Sequence, residues 1–125
     1  MRSLLVVLLL GHAVGCTSSG APRSTASRDV ITLDEIRSVN VTNAFEVVER
    51  LRPNFFTSRG PQSMLLTQQN VPVVYLNGTR YGTVESLTTL RVEQLKEIRL
   101  YRPSDASTTY GPGHTGGVIA VKTTE

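Results

Sequence analysis

The side chains on which chemistry would have to rest are few: one cysteine, Cys16, and two histidines, His12 and His114. A metal site needs several ligands converging, and His114, set between Gly113 and Thr115, reads as a turn residue. Nucleophilic catalysis fares no better. Ser104 and Ser107 lie in no G-x-S-x-G elbow, and His114 with Asp105 at short range reads as loop polarity. An enzyme would require His114, Asp105 and Tyr110 to converge in one pocket. Asp34 and Glu35 sit at a helix start, where carboxylates favour the dipole. The glycines between Gly111 and Gly117 do not form the G-x-x-x-x-G-K phosphate loop. The expectation is a protein that is not an enzyme, with no metal and no cofactor.

Charge narrows the partners. The 125 residues carry a formal net charge of +3, and removal of Arg2 with a leader segment would leave about +2. The densest basic pair, Arg50 and Arg52, lies beside Glu46 and Glu49. Phosphate binding needs several cations on one face, so nucleic acid is not an expected partner.

Cys16 has a context of its own. Met1-Arg2-Ser3 supplies a positive charge, and Leu4-Leu5-Val6-Val7-Leu8-Leu9-Leu10 follows as an unbroken apolar run. That order marks a secretory signal, and the run is far shorter than the ~20 apolar residues of a transmembrane helix. Ala13-Val14-Gly15-Cys16 resembles the lipobox of bacterial lipoproteins, with Ala13 where the pattern usually has Leu. The resemblance implies a signal peptide over residues 1–15 and lipidation of Cys16 by acyl chains of the palmitate kind. A plain signal peptide with an unrelated cysteine is the alternative. A lone cysteine can form no intramolecular disulfide, and a thioether to lipid would protect it from oxidation. Thr17 after the cysteine, in place of Asp, implies sorting to the outer membrane. Residues 17–27 (TSSGAPRSTAS) have no apolar periodicity and read as a flexible tether. The expected organisation is a signal at 1–15, a lipidated cysteine and tether at 16–28, and a globular domain at 29–125.

Thr32 and Glu35 have the spacing of a capping box, so a short helix starts there and includes Ile36. Asn43 and Glu46 repeat the pattern ahead of Ala44, Val47, Val48 and Leu51, one apolar face at helical period that Pro53 ends. Phe55 to Pro61 reads as an extended stretch and turn, and residues 64–70 as a loop or weak strand. Val73-Val74-Tyr75-Leu76 is a strand, Asn77-Gly78 a hairpin turn, and Thr79-Arg80-Tyr81 its partner. Residues 84–94 suggest helical turns. In the next strand Ile98 and Leu100 face one way, Arg99 and Tyr101 the other. Ser104 reads as the cap of a single helical turn that stops at Gly111, and Val118-Ile119-Ala120-Val121 as a strand covered on both faces. The fold class is α+β: a small mixed three- to four-stranded sheet with two or three short helices.

The last third carries a resemblance. Val73-Val74-Tyr75-Leu76-Asn77-Gly78, residues 98–111 (IRLYRPSDASTTYG) and Gly116-Gly117-Val118-Ile119-Ala120-Val121-Lys122-Thr123 resemble, in order and spacing, the plug domain of TonB-dependent outer-membrane receptors. Asn77 stands where that pattern has Asp, and Pro103 where it commonly has Gly. Receptors continue into a large membrane β-barrel, whereas this chain ends at Glu125, so the expectation is a stand-alone plug to which energised uptake is not carried over. The resemblance implies a binding or adaptor module of the cell envelope, lipid-anchored in the outer membrane and facing the periplasm. Its partner would be an outer-membrane or periplasmic protein. A structural spacer or remnant plug without a ligand is the alternative. Contacts are expected from the Asn77-Gly78 turn and residues 103–113, with Arg80, Tyr81, Arg102 and Tyr110 as partner contacts.

Overall fold

The first two helices start where a side chain satisfies their first free N–H groups. In the computed structural model, which describes residues 28–57 and 71–124, Thr32 and Glu35 close the expected capping box. The Glu35 N–H donates to Thr32 Oγ1, and the Thr32 N–H donates to Glu35 Oε2 at 2.9 Å. Helix α1 (Leu33–Ser38) follows. Asn43 caps α2 (Ala44–Leu51) by accepting from the Glu46 N–H at 3.0 Å. The Glu46 carboxylate reaches back one residue further than the box requires, to the Thr42 N–H. The apolar stripe of α2 is core: Ala44, Val47 and Val48 are fully buried.

Past α2 the expectation of an extended stretch at Phe55 fails. Pro53 pre-sets φ for a new turn, and Pro53–Phe55 is a 3-10 helix with Phe55 fully buried. Residues 58–70, with the rest of that stretch and the weak strand, lie outside the described residues.

Five strands form one mixed sheet: β1 (Val30–Ile31), β2 (Val73–Leu76), β3 (Thr79–Gly82), β4 (Leu95–Tyr101) and β5 (Val118–Thr123), in the order β1-β4-β5-β2-β3. The class is the expected α+β, with one strand more than the sequence indicates. The addition is β1, two residues long, whose partners Ile98 and Arg99 lie far along the chain. Asn77 and Gly78 have φ of 48° and 85°, the paired left-handed conformations of a type I′ turn that joins β2 to β3. The turns expected over residues 84–94 are 3-10 helices at Val84–Thr89 and Val92–Gln94.

In β4, Ile98 is fully buried and Leu100 packs against the core, as the alternation requires. Leu95 points inward as well, although it is three residues from Ile98. The pairing with β5 slips between Leu95 and Glu97, and the bulge resets the alternation. Helix α3 (Pro103–Tyr110) is two turns long, with Pro103 in its first turn and Arg102 at the cap position, so Ser104 is not its cap. Gly117, at φ 88°, leads into β5; a Cβ there would lie 2.7 Å from the Tyr101 carbonyl oxygen.

β5 is the central strand, antiparallel to β4 and parallel to β2. One face of the sheet presents Ile31, Val74, Ile98, Ile119 and Val121 to Ile36, Val47, Val48, Phe55 and Leu87 in a single core. On the other face α3 covers only part of the strands. Val118 and Ala106 are buried outside the main core, while Ala120 is half-exposed. The two-sided cover expected for β5 is therefore complete at its start and open towards its end.

Candidate functional site

Register puts one row of side chains on the outer face. Arg80 pairs with Tyr75, Tyr75 with Ala120, and Ala120 with Arg99. Directly opposite residues share a face, so β3, β2, β5 and β4 each place one of these residues outward. The flanking rows hold Val118 with Tyr101, and Lys122 with Glu97.

Helix α3 ends over the first of these flanking rows. Its Tyr110 ring lies 4.4 Å from Tyr75 and meets Tyr101 edge-on at 5.3 Å, centroid to centroid. His114 packs beside Tyr75 and Tyr110. Its Nδ1 lies 2.8 Å from the Gly111 carbonyl oxygen, which can only accept, so Nδ1 carries the proton. In the neutral ring Nε2 then accepts from the Tyr75 hydroxyl at 3.0 Å. Burial, with Tyr101 adjoining, raises the Tyr110 pKa above its ordinary 10.0, although the nearby Arg99 charge works the other way.

Beyond Tyr110 the face is open. A groove of about 620 Å³ runs from Tyr101 and Tyr110 to the Asn77-Gly78 turn, with Arg99, Ala120, Glu97 and Lys122 along it. Asn77 is fixed at its end: its Nδ2 donates to Thr123 Oγ1 at 2.8 Å, and its Oδ1 accepts the Thr123 N–H at 3.0 Å. The Glu97 carboxylate lies 3.4 Å from Arg99 Nε and 3.4 Å from Lys122 Nζ. Both distances are long for charge-assisted hydrogen bonds. Glu97 Oε1 and Arg99 Nε are shielded from water without a hydrogen-bond partner among the described residues.

The four expected contact residues do not gather. Tyr110 forms the groove wall, and Arg80 is exposed on the same face beside Tyr75. Tyr81, 43% exposed, sits at the bulge of edge strand β3 with its hydroxyl 2.9 Å from Thr89 Oγ1. Arg102 lies at the opposite edge, clamped to Asp29 by two hydrogen bonds of 3.0 and 3.2 Å that raise its pKa further. It fastens the chain entering β1 to the end of β4. Cys16 lies outside the described residues.

Sequence reasoning missed Glu97, Arg99, Lys122, Tyr75 and Tyr101 as a set. The outward alternation of Arg99 and Tyr101 was visible, but their neighbours depend on strand order. The enzyme alternative does not assemble: His114 has both nitrogens engaged, while Asp105 is exposed and accepts from the Ser104 hydroxyl. Among the described residues, no three His, Cys, Asp or Glu converge as metal ligands. None of their helices is long and apolar enough to cross a membrane.

Over residues 21–118, well over half of its length, the chain matches the family model described as TonB-dependent Receptor Plug Domain. No curated protein and no solved structure matches it.

Proposed function

Because this chain belongs to the TonB-dependent receptor plug domain family, a group of non-catalytic receptor parts, we propose that it serves the cell envelope as a binding or adaptor module. In this reading Cys16 carries the lipid that holds it to the outer membrane. Residues 17–27 give a reach of about 20 Å, and the domain faces the periplasm. A partner must then lie close to the bilayer, and anchoring raises the local concentration so that a modest interface suffices.

The observation that carries this reading is the half-covered outer face. Tyr110 and Tyr101 form one end of an open, charged groove, and Arg80 stands exposed on the same sheet face. Aromatic and arginine side chains of this kind supply interface anchors.

Photo-crosslinkers placed in living cells at Arg80 and Lys122, both exposed, test it. They should trap one envelope protein that crosslinkers at Arg37 and Glu49, on α1 and α2, do not. Recovery of only lipid and abundant bystanders, equally with an anchor-only control, would favour a spacer without a ligand.

A further inference from the structure

The groove has more cations than its own carboxylate can satisfy. Among the described residues, Lys96, Arg99 and Lys122 line it against the single carboxylate of Glu97, and Arg80 adds a fourth positive charge on the same sheet face. Glu97 is shared between Arg99 and Lys122 at 3.4 Å to each. Such partly solvated pairs hold weakly and exchange readily for a better acceptor. Arg99 Nε is shielded and faces Glu97 Oε1, but the Arg99 side chain is 42% exposed, and a guanidinium edge matches a carboxylate in two-pronged fashion.

We infer that this groove seats an extended acidic segment of a partner protein. Carboxylates of the segment engage Arg99 and Lys122, and its intervening side chains rest on Tyr101 and Tyr110. The inference rests on the docking function proposed above and names its chemistry. Its geometry is that of a strand lying along a strand: outward rows are two residues apart, about 7 Å, which is also the spacing of alternate side chains in an extended peptide. The Tyr110 ring, edge-on to Tyr101, forms the apolar part of the groove wall. Outside the described residues the only Asp or Glu is Glu125, a single residue and not an extended acidic segment, so the segment belongs to another molecule. A nucleic acid fits less well, since its affinity grows with the number of phosphates neutralised, and only three cations line the groove among the described residues.

The test is a titration of the full chain with the capped peptide acetyl-Glu-Thr-Glu-Thr-Glu-amide, followed by the NMR shifts of Tyr101, Tyr110 and Lys122. Parallel arms use the Gln counterpart, acetate at equal carboxylate concentration, and an oligothymidine of similar length. The acidic peptide should bind about tenfold more tightly than its Gln counterpart, and lose affinity as salt is added. Lys122→Gln, at an exposed side chain, should weaken it several-fold. Glu97→Gln, which removes the internal competitor, should tighten it. Equal binding of the Gln peptide, weaker binding by Glu97→Gln, tighter binding of the oligonucleotide, or the same response to acetate would each overturn the inference. If peptides fail while crosslinks at Arg80 and Lys122 persist, the acidic specificity falls and the docking function stands. If the peptide binds while those crosslinks are absent, the docking function falls and the groove chemistry stands.

Discussion

Tyr75 and His114 join a strand of the sheet to the loop after α3: the Tyr75 hydroxyl donates to His114 Nε2 at 3.0 Å, while His114 Nδ1–H donates to the Gly111 carbonyl. His114 is 9% exposed, so water cannot easily replace the tyrosine. Tyr75→Phe leaves Nε2 as a buried acceptor without its donor and should cost about 1–2 kcal/mol. Urea unfolding of the two proteins measures it; an unchanged midpoint and slope would show that the bond contributes nothing net.

Alkaline pH should loosen the same cluster. Burial and the adjoining Tyr101 raise the Tyr110 pKa above 10.0 in the folded protein, so ionisation is easier in the unfolded chain. The stabilisation is therefore full below the ordinary tyrosine pKa and is lost as pH rises through the raised one. Absorbance titration should show one tyrosine ionising late, and Tyr110→Phe should remove that step.

At the acid end the corresponding group is Glu35. Burial opposes its charge, but the Thr32 N–H and the Arg52 guanidinium, 2.7 Å away, outweigh it and leave the pKa below 4.5. A lowered carboxylate pKa contributes stability that is present above the ordinary value and lost as pH falls through the lowered one. Glu35→Gln should flatten the fall in stability below pH 4.5. Both partners are partly solvated, so its cost at neutral pH should be roughly 0.5–1 kcal/mol. Thermal melts across acid pH read both quantities.

Local signals were legible and non-local ones were not. The Thr32–Glu35 box, the buried stripe of α2, the Asn77-Gly78 turn and the outward Arg99 and Tyr101 each depend on neighbours a few residues away. The plug resemblance, carried by motifs from Val73 to Thr123, is matched by the family over residues 21–118. What escaped depends on pairing across the chain. Val30–Ile31 becomes a strand only because β4 offers Ile98 and Arg99 as partners. Glu97 meets Lys122 only through the antiparallel register of β4 on β5. Arg102, expected as a partner contact, also pairs with Asp29, a residue whose approach no local pattern announces.

Two glycines with similar φ separate backbone strain from crowding. Gly78, at φ 85°, has nothing within 4 Å of a built Cβ, whereas Gly117, at φ 88°, would place its Cβ 2.7 Å from the Tyr101 carbonyl oxygen. Gly78→Ala should cost about 1 kcal/mol from conformation alone. Gly117→Ala should cost clearly more, about 2 kcal/mol or above, because β4 or β5 must also shift. Equal losses in chemical denaturation would mean that the close approach at Tyr101 relaxes freely.

The sharpest expectation concerns β5. The matched family span ends at residue 118, where this strand begins, yet β5 is hydrogen-bonded on both sides and lies at the centre of the sheet. Ending the chain after Gly116 would part β4 and β1 from β2 and β3, which have no direct pairing. It would also remove Val118, Ile119 and Val121, all essentially fully buried. Each such side chain contributes about 1.5–3 kcal/mol on burial, so their loss alone comes to roughly 5–9 kcal/mol. Domains of this size are stable by about 5–15 kcal/mol in total, and the strand's ladder hydrogen bonds are lost as well. The truncated chain should therefore show no cooperative thermal or urea transition. A retained transition with an unchanged urea slope would mean that β5 is not part of the folding unit, and the central place assigned to it would be wrong.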